Sequence, residues 1–179
     1  PIVGDEPFAV LLPDDLIWNR GPGALKQMAD AAESSGASVI AVQDVPRDQT
    51  GSYGIVATET FSGREGRISA IVEKPSPETA PSTLAVVGRY VLSSRIFDLL
   101  ESTTPGAGGE IQLTDAIAAL LAEHPVHAYR FRGTRFDCGT HIGLIEATIR
   151  YALDHEKLSD AAQQLMQNAL KELGVTELE

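Results

Sequence analysis

The chain has 179 residues, of which 43% are hydrophobic and 22% charged, enough for a domain with a real core. Its formal net charge of −11 excludes nucleic acid as a general partner, because no basic field exists to draw a polyanion. No apolar run is long enough to cross a bilayer, and the single cysteine, Cys138, excludes an internal disulfide framework. These features lead us to expect a cytoplasmic protein with no membrane partner. The four histidines show no zinc-ligand spacing with Cys138.

Phe8-Ala9-Val10-Leu11-Leu12 is an apolar run of strand length that ends in Asp14 and Asp15. The absence of polar alternation predicts a strand buried on both faces of a parallel sheet. A turn-rich connection through Gly21, Pro22 and Gly23 follows. Leu25, Met28, Ala29 and Ala32 then recur at helical spacing up to Gly36. Val39-Ile40-Ala41-Val42 reads as a second buried strand, so strand, helix and strand together predict a parallel crossover unit. Tyr53–Thr60 and Arg67–Lys74 read as a hairpin about a turn at Ser62–Gly66, with Ile68, Ala70 and Val72 on one face. After a loop with Pro75, Pro77 and Pro81, a strand is expected over Ala85–Leu92. A short helix with Ile96, Phe97, Leu99 and Leu100 follows, with Ser93 or Ser94 as its cap. Beyond the Gly106–Gly109 loop the pattern predicts a helix with Leu113, Ile117, Leu120 and Leu121, a strand over Val126–Phe131 and a helix from about Ile142. A last apolar stripe runs from Leu158 to Leu173 and stops at Gly174.

Three places stand out chemically. In open parallel sheets ligands sit beyond the carboxyl ends of the strands, where Asp14 and Asp15 stand. Asp137, before Gly139 and Thr140, is a second carboxylate at the start of a helix. Magnesium takes one or two protein carboxylates and completes its shell with water and phosphate oxygens, so Asp14 with Asp137 would suit it. Aspartates serve equally well as turn formers and caps. Glu73-Lys74-Pro75 ends an apolar strand, with Pro75 expected to hold Lys74 extended. Lys74 would meet a phosphate as a compact charge, and Glu73 would accept from sugar hydroxyls. Neighbouring side chains on a regular strand face opposite ways, so both reach one ligand only if the strand is twisted or bulged. Tyr53-Gly54 would let backbone approach a ligand closely. Val86, Gly88 and Tyr90 share a strand face by period two. Arg130, Arg132 and Arg135 are candidate anion holders, or the exposed face of an edge strand.

In order along the chain, Leu12-Pro13-Asp14-Asp15, Tyr53-Gly54, Ile71-Val72-Glu73-Lys74-Pro75, Val87-Gly88-Arg89-Tyr90-Val91, Gly109-Glu110-Ile111-Gln112-Leu113-Thr114-Asp115 and Phe136-Asp137-Cys138-Gly139 resemble the bacterial UTP–glucose-1-phosphate uridylyltransferases, also called UDP-glucose pyrophosphorylases. The resemblance covers nearly the whole chain. It implies an α/β fold of the nucleotide-diphospho-sugar transferase, Rossmann-like type, with a mixed, mostly parallel central sheet flanked by helices and incomplete at its N-terminal side. Members of that family begin with a Gly-rich loop ending in Arg and Lys. This chain has no such motif and opens on Pro1, so the resemblance implies the C-terminal part of the enzyme, with little activity alone. Residues 1–155 would be the sugar- and metal-binding part of the catalytic domain, and 156–179 a helical tail.

The reaction so implied is formation of UDP-glucose and pyrophosphate from UTP and glucose 1-phosphate, assisted by Mg2+. By motif position Asp14 and Asp137 are the metal candidates and Lys74 holds the sugar phosphate. Glu73, with backbone at Gly54, Val86 and Gly88, reads the glucose hydroxyls. Glu110 and Asp115 are read as structural. A homo-oligomer is expected. The alternatives are a non-catalytic sugar-phosphate-binding or assembly fragment, and a nucleotidyltransferase for another base or sugar.

Overall fold

The structure, a computed structural model, describes residues 2–106 and 109–175. The middle of the expected Gly106–Gly109 loop and the end of the expected tail lie outside the described residues. The chain packs as two units. Residues up to Pro13 join Asn19–Gly133 in the first, and Asp14–Trp18 join the residues from Thr134 onward in the second.

The first unit is built on a six-stranded sheet. Its strands are β1 (Phe8–Leu11), β3 (Ser38–Asp44), β4 (Gly54–Thr58), β5 (Glu65–Glu73), β6 (Leu84–Leu92) and β7 (Val126–Arg130), in the order β1-β6-β3-β7-β5-β4. β4 also touches β6 through the pair Ile55 and Ala85. β3 lies between two partners, which is why its residues Ser38–Val42 are all buried. Helix α1 (Ala24–Ser35) packs on β3 and β6 through Met28 and Ala31. It stops where Gly36 takes φ 66 and donates its N–H to the Ala32 carbonyl, the left-handed ending that glycine allows most easily. Helices α2 (Arg95–Ser102) and α3 (Leu113–Leu120) contact each other, and α3 lies on β5. Ile96, Leu99, Ile117 and Leu120 thereby share one core with Ile40, Val42, Ile68, Ile71 and Leu92. Each such side chain contributes about 1.5–3 kcal/mol by leaving water.

Several expectations change here. The sheet is mixed, but β3–β7 is the one parallel pair among the described strands; β1–β6, β3–β6, β5–β7, β4–β5 and β4–β6 are antiparallel. It is therefore not mostly parallel. β1 and β3 do run the same way around α1, yet β6 inserts between them in the opposite sense, pairing Val91 with both Ala9 and Val39. β1 is consequently an edge strand, buried on one side only, and Leu11 and Leu12 are 50% and 42% exposed. In the hairpin the register shifts between Ala57 and Thr58, whose partners are Ala70 and Ile68. This bulge at Ser69 reverses the alternation, so that Ile71 joins Ile68 in the core while Ala70 and Val72 are exposed. Ser94 precedes α2, but its side chain makes no capping hydrogen bond.

The second unit contains β2 (Asp15–Trp18), a strand where a turn-rich connection was expected, and β8 (Thr134–Asp137), paired antiparallel. Helix α4 (His141–Asp154) begins where the Thr140 hydroxyl accepts from the Gly143 N–H at 3.1 Å. The indole N–H of Trp18 donates to Asp154 at 3.0 Å, and the Arg150 guanidinium lies over its ring. Helix α5 (Ser159–Glu172) contacts α4 but buries none of its residues; Leu165 is 71% exposed.

Candidate active site

In the second unit the β2–β8 register sets Asp15 opposite Asp137, and the Cys138 N–H donates to the Asp14 carbonyl at 2.7 Å. The two adjacent aspartates then have different fates. Asp15 is buried and paired with the Arg135 guanidinium, so it is engaged within the fold. Asp14 is exposed. The Asp137 carboxylate accepts from the Gly139 N–H at 3.1 Å and lies 3.8 Å from Arg135 Nη2. A Cβ added at Gly139 would meet Asp137 Oδ1 at 3.1 Å and Asp14 Oδ2 at 3.5 Å. Both carboxylates therefore address one small space, kept open by the missing side chain of Gly139. No group of three or more His, Cys, Asp or Glu with metal-binding geometry occurs among the described residues. Two converging carboxylates fit an ion that takes its remaining ligands from water and phosphate, as magnesium does.

In the first unit a second cluster forms where β5 ends. The bulge at Ser69 puts Glu73 on the same side as Ile71, toward α3. Glu73 Oε2 accepts from the Thr114 hydroxyl at 2.6 Å, and Lys74 Nζ stands 3.7 Å from Glu73 Oε1. Gly54 pairs with Glu73 across the hairpin; a Cβ there would meet Glu73 Oε2 at 3.3 Å and Thr114 Oγ1 at 3.5 Å. Lys74 is not extended. Its φ is 43, in the left-handed region that L side chains seldom enter, and its N–H donates to the Tyr53 carbonyl at 3.0 Å. That turn lets consecutive side chains approach each other instead of diverging as on a flat strand. A bulge before Glu73 and a left-handed residue after it thus bring the two charged side chains together.

Val86 and Gly88 sit on β6. Between the pairs Ile40–Tyr90 and Val42–Val86 the register shifts, so three residues of β6 around Gly88 oppose Ala41 alone. This irregularity breaks the simple period-two face of Val86, Gly88 and Tyr90. The Gly88 carbonyl accepts from the Leu12 N–H at 2.9 Å and from the Arg89 guanidinium at 2.7 Å. Buried Arg89 also donates to the Leu12 carbonyl at 2.8 Å, so it fixes the chain just before Asp14. Of the three arginines proposed for anions, Arg130 bonds Asp44 and stacks on Phe61, and Arg135 is taken up by Asp15. Thr114, Arg89 and Gly139 were not singled out by sequence reasoning. All three were within reach, since each belongs to a run that carried the resemblance.

The Glu-Lys strand end offers a carboxylate and a cation side by side, and the carboxylate pair over Gly139 offers oxygen ligands to a divalent ion. Residues 2–153 match the Nucleotidyl transferase family, and the chain belongs to it. Within that family it is similar to the UTP--glucose-1-phosphate uridylyltransferase of Pseudomonas aeruginosa, at 50% identity over 149 residues, covering 83% of this chain and 53% of the relative. It is also similar to the UTP-bound UDP-glucose pyrophosphorylase of Acinetobacter baumannii (TM-score 0.82, 43% identity, 93% of this chain and 57% of that one). A UDP-glucose pyrophosphorylase solved in complex with UDP-glucose gives TM-score 0.81 at 40% identity, over 86% of this chain and 59% of that one. These likenesses bear out the α/β nucleotidyltransferase fold. The chain spans a little over half the length of the curated relatives it matches.

Proposed function

We propose that the protein to which this chain belongs is a UTP–glucose-1-phosphate uridylyltransferase, and that these residues supply its sugar and metal chemistry. In the reaction a phosphate oxygen of glucose 1-phosphate attacks the α-phosphorus of UTP in line. A P–O bond forms to give UDP-glucose, and the bond to the bridging oxygen breaks, pyrophosphate leaving with the electron pair. Transfers of this kind ask for positioning and charge neutralisation more than for covalent work by the protein. Lys74 holds the phosphate of the sugar as a point charge, and Glu73 accepts from glucose hydroxyls beside the backbone of Gly54, Val86 and Gly88. Asp14 and Asp137 hold Mg2+, which when bound neutralises phosphate charge. We take residues 1–155 as part of the catalytic domain and 156–179 as a helical tail.

The observation that carries this reading is the convergence of the Asp14 and Asp137 carboxylates on one space beside Gly139. Calorimetry of the intact natural protein with UDP-glucose, with and without Mg2+, tests it. Binding strengthened by Mg2+ and lost in the Asp14→Asn/Asp137→Asn double variant is expected. Equal binding by both proteins at every Mg2+ concentration would remove the assignment.

We also propose a homo-oligomer in the cytoplasm. The oligomer is supported by the apolar side chains that α4 leaves exposed, Ile142, Leu144 and Ile145 among them. Light scattering of the intact protein reads this directly, and a monomer at micromolar concentration would refute it. No described helix is long and apolar enough to cross a membrane.

A further inference from the structure

We infer that Thr114 is a positioning residue for Glu73, and that the first turn of α3 thereby sets how tightly the sugar is read. This rests on the proposed role of Glu73 as acceptor for glucose hydroxyls. A glutamate side chain has three rotatable bonds, and an unrestrained carboxylate at a strand end loses that freedom when it engages a ligand. Here the freedom is removed in advance. The Thr114 hydroxyl has one proton to donate, and at 2.6 Å it donates that proton to Glu73 Oε2. Thr114 stands on a rigid platform, because Ala116, Ile117 and Leu120 of the same helix are 0%, 1% and 0% exposed. Gly54 leaves room beside the pair; a Cβ there would crowd Glu73 Oε2 at 3.3 Å and touch Thr114 Oγ1 at 3.5 Å. Glu73 Oε1, which Lys74 approaches at 3.7 Å, carries the remaining acceptor capacity toward a sugar hydroxyl.

Steady-state kinetics of the intact natural protein tests this with Thr114→Val, Thr114→Ser, Glu73→Ala and the Thr114→Val/Glu73→Ala double variant. Thr114→Val raises the KM for glucose 1-phosphate about tenfold, the worth of a charge-assisted hydrogen bond, and leaves the KM for UTP unchanged. Thr114→Ser, which keeps the hydroxyl, stays within about threefold of wild type. In the Glu73→Ala background the valine substitution adds less than about twofold, because its target is gone. If Thr114→Val does not fold, Thr114→Ala replaces it. Equal effects of the substitution in both backgrounds would overturn the inference. So would an unchanged KM for glucose 1-phosphate in Thr114→Val when Glu73→Ala raises it. If Glu73→Ala itself leaves glucose 1-phosphate use untouched, the sugar-reading role of Glu73 fails and the inference falls with it.

Discussion

Gly143 of α4 lies so close to Asp137 that a Cβ at Gly143 would sit 2.0 Å from the Asp137 carbonyl oxygen and 2.7 Å from its carbonyl carbon. Alanine normally favours a helix over glycine by about 1 kcal/mol. Here the sign reverses, because the obstacle is backbone and cannot rotate away. Gly143→Ala is expected to destabilise the protein by about 1–3 kcal/mol and to displace Asp137. Thermal melts and Mg2+-dependent turnover measured together check this. A variant that melts higher than wild type would contradict the packing described.

The carboxylate pair separates function from stability. Asp14 is exposed, and the Asp137 carboxylate accepts from the Gly139 N–H of its own turn and lies 3.8 Å from Arg135 Nη2. Asp14→Asn and Asp137→Asn are each expected to lower Mg2+-dependent turnover by roughly a hundredfold while leaving the melting temperature nearly unchanged. Titration of rate against Mg2+ concentration is the measurement. Near wild-type curves for both variants would dissolve the metal assignment.

Lys74 carries strain that glycine would not feel. Lys74→Ala and Lys74→Gly are both expected to raise the KM for glucose 1-phosphate. Their stabilities should differ in an unusual direction, Lys74→Gly exceeding Lys74→Ala by about 1 kcal/mol in urea denaturation. Alanine as the more stable of the two would show that the left-handed turn is not kept in solution.

Much of this was readable beforehand. α1 and its glycine stop, the β4–β5 hairpin, β6, α3 and β7 follow from period and punctuation alone. What escaped were long-range choices. Asp15-Leu16-Ile17-Trp18 is too short to announce a strand, and its partner Thr134–Asp137 lies more than a hundred residues further along the chain. Nothing local in Phe8–Leu11 tells whether its neighbour is parallel, and that neighbour proved to be β6, running the other way. The bulge at Ser69 leaves no mark in composition, yet it decides which way Glu73 points. The candidate residues themselves were legible by motif order; the Thr114 contact was not, because it depends on where α3 lands on β5.

Asp15 and Arg135, with side chains 7% and 10% exposed, form an ion pair inside the second unit. Removing Arg135 takes this charged partner away from the buried Asp15. Arg135→Met alone is expected to cost about 3–5 kcal/mol, whereas the Asp15→Leu/Arg135→Met double variant recovers most of that loss. Chemical denaturation of the four proteins in the cycle checks it. Additive losses would show that neither charge depends on the other.

The place of β6 between β1 and β3 has a consequence for the order of assembly. β1 is separated along the chain from its hydrogen-bonding partner β6 by α1, β3 and the whole hairpin, as the pair Phe8–Leu92 shows. Closing so long a loop is slow, while the hairpin needs only its own turn. In pulse-labelled hydrogen exchange during refolding, amides of Ile55 and Val72 should therefore gain protection before those of Val10 and Leu11. Until β6 arrives, the apolar strand that leads into Asp14 lacks the partner it has here, and pairing with a neighbouring chain competes with that closure.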